Sequence, residues 1–177
     1  MIQYNNMQPQ VILTFVGHDN SGKTSIAMAL ANKIGIPYFK NRNEKRREIT
    51  DSNIYGLYYE TPLLLSLCTQ TNSSFIFDRG YPCEYAYSQA FNRKTDLPFL
   101  WKMDEEWSKL NHRIVYCYKT FLKDFIDDMV KLEQVKAIKE NYEKFLSKTK
   151  CSVLKLDTTN EDLAGQLFQI QRFIEWI

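Results

Sequence analysis

Five short apolar runs punctuate the chain: 11–16 (VILTFV), around 36–39 (IPYF), 74–78 (SFIFD), 113–118 (RIVYCY) and 152–156 (SVLKL). Each has the length of a strand, and β-branched or aromatic residues are frequent in them. Between the runs, apolar residues recur at helical spacing over about 22–35, 54–70, 82–92, 98–111, 121–149 and 160–176. This alternation predicts an α/β fold, a five-stranded parallel sheet with helices on both faces. The last junction carries its own helix-start signal. Asp157-Thr158-Thr159-Asn160 ends the fifth strand with helix-capping residue types, and Glu161 and Asp162 follow where the positive end of a helix favours acids. No repeat, low-complexity tract or linker interrupts the pattern, so residues 1–177 read as a single domain.

The first strand runs directly into VGHDNSGKTS, residues 16–25. The spacing Gly17-x-x-x-x-Gly22-Lys23-Thr24, between a strand and a helix, meets the phosphate-loop (P-loop, Walker A) pattern at every fixed position. Glycines let the backbone curl until successive N–H groups point inward, and the new helix adds its positive N-terminal end. Gly17, Asn20, Ser21, Gly22, Lys23, Thr24 and Ser25 are thus the candidates to cradle the phosphates of ATP. Lys23 would reach the β and γ phosphates, and the Thr24 hydroxyl would ligate Mg²⁺.

Composition narrows the partners. The net charge of +2 gives no global basic field, which speaks against nucleic acid and anionic membranes as partners. Cys68, Cys83, Cys117 and Cys151 are widely spaced, with no C-x-x-C pair or His cluster, and read as buried or incidental thiols in a reducing compartment. The polar start MIQYNNMQPQ lacks an apolar signal core and no apolar run has membrane-spanning length, so a cytoplasmic location is expected.

Two further stretches carry candidate chemistry. KNRNEKRREITDSN (40–53) brings Lys40, Arg42, Lys45, Arg46 and Arg47 past the second strand, at the carboxyl end of the sheet where ligands of such folds bind; a solvated charged loop is the other reading. FIFDRGYPCEYAYSQAF (75–91) delivers Asp78 and Arg79 at the end of the third strand. A carboxylate there can hold Mg²⁺ through water or orient an acceptor, and the adjacent guanidinium offers a bidentate fork for a phosphate. Tyr55, Tyr58 and Tyr59 either stack on a base or pack in the core, whereas Trp101 and Trp107 read as packing positions. His18 and His112 read as polar groups rather than bases, because phosphoryl transfer depends mainly on positioning and charge neutralisation.

The loop with its internal Asp19, the Asp78-Arg79 pair after strand three, and Ala86-Tyr87 beyond it resemble the thymidylate kinase family of nucleoside monophosphate kinases. The small size and the Asn-, Lys- and Tyr-rich composition resemble its phage-encoded members. The resemblance implies a P-loop kinase domain that transfers the γ-phosphoryl of ATP-Mg²⁺ to a deoxynucleoside monophosphate, and a homodimer. It also implies roles. Asp19 would meet the 3′-hydroxyl of the acceptor sugar; Asp78 and Arg79 would handle Mg²⁺ water and the acceptor phosphate; Tyr87, with Tyr81 and Ser88, would line the sugar and base pocket. Lys40 or Arg42 approximates a family arginine that binds the acceptor phosphate. Catalysis would rest on Lys23, Asp78 and Arg79, with Thr24 and Asp78 at the metal.

The chain departs from that family in two places. LLLSLCTQTNSSFIF reaches strand three with no arginine, and after strand four YKTFLKDFIDDMVKLEQ offers Lys119 and Lys123 with no arginine before Arg172. Three rivals follow: a nucleoside kinase with Asp78 as base for a 5′-hydroxyl, a kinase acting on a DNA end or modified base, and a nucleotide-binding protein without turnover.

Overall fold

Strand β1 (Ile12–Val16) is buried at all five positions, and its side chains feed two separate cores. It lies at the middle of the sheet, paired in parallel with β3 (Phe75–Asp78) on one side and β4 (Arg113–Tyr118) on the other. β2 (Tyr38–Lys40) extends the sheet beside β3 and β5 (Ser152–Asp157) beside β4, giving the order β2-β3-β1-β4-β5 with every pair parallel. The computed structural model describes residues 10–40, 56–120, 131–160 and 162–175.

Among the described residues, six α-helices connect and cover the strands. They are α1 (Lys23–Ile34), α2 (Thr61–Thr71, entered through a π-helical turn, Gly56–Glu60), α3 (Tyr81–Ala90), α4 (Leu97–Lys109), α5 (Leu132–Leu146) and α6 (Leu163–Glu175). Alternation along β1 decides which helix meets which residue. Leu13 and Phe15 face α1 and α6, where Ile26, Leu30, Leu167 and Ile170 close over them. Ile12 and Val16 face the opposite layer with α2 to α5, a largely aromatic core that includes Phe77, Tyr85, Trp107, Tyr116 and Phe145. Each such side chain taken fully out of water contributes roughly 1.5–3 kcal/mol.

The expected architecture is present: five parallel strands with helices on both faces. The second strand begins at Tyr38 rather than Ile36, whose side chain instead joins the α1–α6 core. The helix start after β5 also differs. Asp157 turns back on its own loop, accepting from the Thr159 N–H at 2.8 Å and the Thr120 hydroxyl at 2.9 Å, while Asp162 receives the Gly165 N–H at 2.9 Å and so caps α6. Trp107 is buried and Trp101 stacks on Phe145 with centroids 5.3 Å apart, so both are packing residues. All four cysteines are buried and free. Among the described residues, no helix is long and apolar enough to cross a membrane. Expected helical residues 54–55 and 121–130, and the side chains of Arg42, Lys45, Arg46, Arg47, Tyr55 and Lys123, lie outside the described residues.

Candidate functional site

The carboxyl ends of β3, β1 and β4 converge on residues 16–25. The loop begins at Gly17, where a Cβ would sit 2.2 Å from the Cys117 carbonyl oxygen of β4; only glycine permits that approach. It ends at Gly22, in the left-handed region with φ 76°, immediately before the first turn of α1. Asn20, at φ 61°, shares that conformation, which asparagine tolerates better than most residues. Thr158, at the end of β5, donates from Oγ1 to the Ser21 carbonyl at 2.8 Å and ties the loop to the far side of the sheet. His18 is fully buried: Nδ1 donates to the Asp19 carbonyl at 2.6 Å, and Nε2 accepts the Lys119 N–H at 3.4 Å. That pair of contacts fixes the tautomer. Burial, with the Lys139 and Lys23 charges, holds the imidazole below its ordinary pKa despite the hydrogen bond to the Asp19 carbonyl. A neutral ring with its Nδ1 proton already engaged fits a structural bridge rather than a base.

A cavity of about 370 Å³ opens over the loop, lined by Asn20, Gly22, Lys23, Thr24, Ser25 and Lys119. Its wall contains two ammonium groups, the N-terminus of α1 and no acid. Such a wall suits a polyanion. The Lys23 ammonium donates to the His18 carbonyl at 3.2 Å, and burial together with the nearby Arg79 charge lowers its pKa.

Asp78 and Arg79 sit beside the loop because β3 is the direct neighbour of β1, and the Arg79 N–H donates to the Phe15 carbonyl at 2.9 Å. The Asp78 side chain is completely buried. Its Oδ2 accepts two hydroxyls, Thr24 at 2.6 Å and Tyr38 at 3.0 Å, while Oδ1 finds no hydrogen-bond partner among the described residues. A buried carboxylate oxygen left bare beside a threonine hydroxyl fits a divalent cation or its water. Among the described residues no three His, Cys, Asp or Glu side chains converge as a metal cage, so a cation here would draw on Thr24, Asp78, water and phosphate oxygens.

Arg79 occupies the left-handed region, φ 75°, unusual for a residue with a Cβ and costing of order 1–3 kcal/mol. Its guanidinium lies 2.6 Å from Asp19 and 5.6 Å from the centroid of the Tyr87 ring, whose hydroxyl donates to the other Asp19 oxygen at 2.9 Å. Burial raises the Asp19 pKa, but the Arg79 and Lys23 charges and the hydrogen bonds from Tyr87 and Arg79 outweigh it and hold the carboxylate below its ordinary value. Burial works against the Arg79 charge as well, yet the phenol, thiol and carboxylate around it keep it protonated.

The structure therefore brings together Gly17, Asp19, Asn20, Ser21, Gly22, Lys23, Thr24, Ser25, Asp78, Arg79 and Tyr87. Lys40, exposed at the end of β2, is in register with Asp78. Tyr81 does not join them. It is buried beneath α4, donating to Asp104 at 2.9 Å and touching the Cys151 thiol at 3.4 Å. At about 100° per residue, six positions along α3 separate Tyr81 from Tyr87 by roughly 240° around the helix, so one faces the core when the other faces the loop. Ser88 is also fully buried, its hydroxyl without a partner among the described residues. Tyr58 and Tyr59 are exposed rather than core, and the Tyr58 hydroxyl donates to Asp96 at 2.5 Å. Sequence reasoning missed Tyr38, His18 as a bridge, and Thr158. The strand-neighbour pairing that places Tyr38 against Asp78 has no signal in the local pattern.

No protein-family model matches the chain, and no curated protein matches it. Solved structures do, across nearly its whole length. The chain is similar to YorR from Bacillus subtilis, crystallised with phosphorylated GDP (15% identity, 93% of this chain and 96% of that one, TM-score 0.69). It is also similar to deoxyadenosine kinase from M. mycoides with the products dCMP and dCDP (15% identity, 94% and 100%, TM-score 0.64). A third is thymidylate kinase from Ehrlichia chaffeensis (14% identity, 95% and 100%, TM-score 0.59). At these identities the likeness is one of fold: the chain has the P-loop kinase fold.

Proposed function

We propose that this protein is an ATP-dependent nucleotide kinase that moves the γ-phosphoryl group of ATP onto the 5′-phosphate of a deoxynucleoside monophosphate. One observation carries the reading: the phosphate loop on β1 is flanked by a second cation, Arg79 on β3, clasped by Asp19 and Tyr87 rather than by phosphate-loop backbone. The loop and Lys23 serve the donor; Arg79 is left for an acceptor that brings its own negative phosphate. Repulsion between that phosphate and the γ-phosphate must be offset by a cation on the acceptor side. Lys40, in register with Asp78, adds charge there, and Arg42 follows it in sequence.

Thr24 and Asp78 would hold Mg²⁺, which when bound neutralises phosphate charge as the transferred group develops it. Lys23 and Arg79 fix the two phosphates in line, so catalysis draws on placement and charge neutralisation and needs no strong base. Asp19 accepts from the acceptor's 3′-hydroxyl, with Tyr87 beneath the sugar. A deoxynucleoside kinase is the second reading, favoured by the likeness to deoxyadenosine kinase, with Asp78 as the group that takes a 5′-hydroxyl proton. The hydroxyl of Thr24, a phosphate-loop residue, on Asp78 Oδ2 ties the carboxylate to the donor side and weighs against that. Incubating deoxynucleosides and deoxynucleotides of all four bases with ATP and Mg²⁺, and identifying products by mass, decides it. Deoxynucleoside diphosphates from monophosphates are expected. Monophosphates formed from free deoxynucleosides alone would hand the site to the second reading, and ATP binding with no product from any acceptor would mark a nucleotide-binding protein without turnover.

A further inference from the structure

We propose that Lys119 is a second phosphate-binding cation of the donor site, gripping the donor's polyphosphate from the side of β4. It follows β4 directly, as Arg79 follows β3, and because β1 lies between those strands the two cations flank the phosphate loop from opposite sides. Lys119 lines the same cavity as Lys23, Thr24 and Ser25; Asp19 stands 4.0 Å from Lys23, but no carboxylate belongs to that lining beside Lys119. A cation on a cavity wall without an acid of its own suits an anion. Among the described residues, no hydrogen bond or ion pair engages the Lys119 ammonium.

Its backbone, by contrast, is fastened on every side. The N–H donates to His18 Nε2 at 3.4 Å and the carbonyl accepts from Lys139 Nζ at 2.8 Å. The next residue is fixed by Thr120 N–H to Thr159 Oγ1 at 2.7 Å and by Thr120 Oγ1 to Asp157 at 2.9 Å. A fixed backbone meets its share of the ordering cost before binding and leaves only the side chain to order on the ligand. Lys119 thereby adds donor-side charge in a chain with no arginine between Arg113 and Arg172.

The proposal rests on the donor-site reading above, and calorimetric titration of the full chain with AMP, ADP and ATP separates the two. Lys119→Ala should weaken ADP and ATP by about tenfold, the scale of one lost charge-assisted hydrogen bond, leave AMP and the acceptor KM within about twofold, and keep the wild-type melting temperature. Lys119→Arg should recover most of the loss. Wild-type affinities for ADP and ATP in Lys119→Ala overturn this proposal alone. ADP and ATP binding by wild-type protein that Lys23→Ala leaves unchanged overturns the donor-site reading and this proposal with it.

Discussion

Replacing Asp19 by asparagine removes one negative charge from a group of three charged side chains while keeping shape and the ability to accept from Tyr87. In the native protein the carboxylate stands 2.6 Å from Arg79 and 4.0 Å from Lys23. The Coulomb energy of the closer pair is roughly 6 kcal/mol at an effective dielectric of 20, an upper bound that desolvation reduces. Exposed pairs are worth about 0.2–1 kcal/mol and breaking a fully buried pair costs about 3–5. The Arg79 and Asp19 side chains are 23% and 19% exposed, which places Asp19→Asn between those limits, at about 2 kcal/mol. Urea unfolding at pH 7 measures it directly. The pH dependence identifies the cause. Because the folded carboxylate titrates below its ordinary 3.8, its stabilisation is complete above about pH 5 and is lost as pH falls through 3.8 toward the folded value. Wild type and variant should therefore converge in stability on acidification. A gap that stays constant from pH 7 to pH 3 would refute the electrostatic account and leave packing as the reason for the loss.

Lys23→Ala should fold with a near-native melting temperature, since among the described residues its ammonium makes one hydrogen bond, to the His18 carbonyl, and one long ion pair, to Asp19 at 4.0 Å, yet lower kcat by several orders of magnitude in a steady-state phosphoryl-transfer assay. Arg79→Lys keeps the charge but not the planar fork, so acceptor KM should rise or kcat fall at least tenfold, with ATP affinity by calorimetry unchanged. Tyr38→Phe removes one of two donors to Asp78 and should raise the Mg²⁺ concentration needed for half-maximal ATP affinity, with circular dichroism and nucleotide binding in EDTA unaltered.

Much of this architecture is legible in the sequence because β1, β3 and β4 are buried on both faces or nearly so, and runs such as VILTFV and FIFD need no partner to be recognised. The phosphate loop was equally plain: Gly17 and Gly22 are forced by a close approach and a left-handed backbone, and Lys23-Thr24 follows them. Strand order is different in kind. It depends on pairings between segments far apart in sequence, so Asp78 beside Thr24 was a conditional reading and Tyr38 on Asp78 was invisible. Tyr81 parts from the site because the helix sets it about 120° away from Tyr87, toward Asp104, a separation that the linear motif does not show.

The place of β1 at the middle of the sheet also governs how the molecule assembles. Its neighbours are not its sequence neighbours: Ile12 pairs with Phe75 and Leu13 with Arg113, and each pairing closes a long stretch of chain. Local helical turns can form within microseconds, but contacts of such sequence separation wait on chain-closure entropy and set the slow step. The cradle at Gly17 is packed directly against Cys117 of β4, and its loop is held by Thr158 from beyond β5. Until those C-terminal strands are synthesised and docked, residues 16–25 have only β3 and the residues that follow it to curl against. On the proposed reading the cradle is completed late in folding, and an N-terminal half carries the motif with part of its support missing.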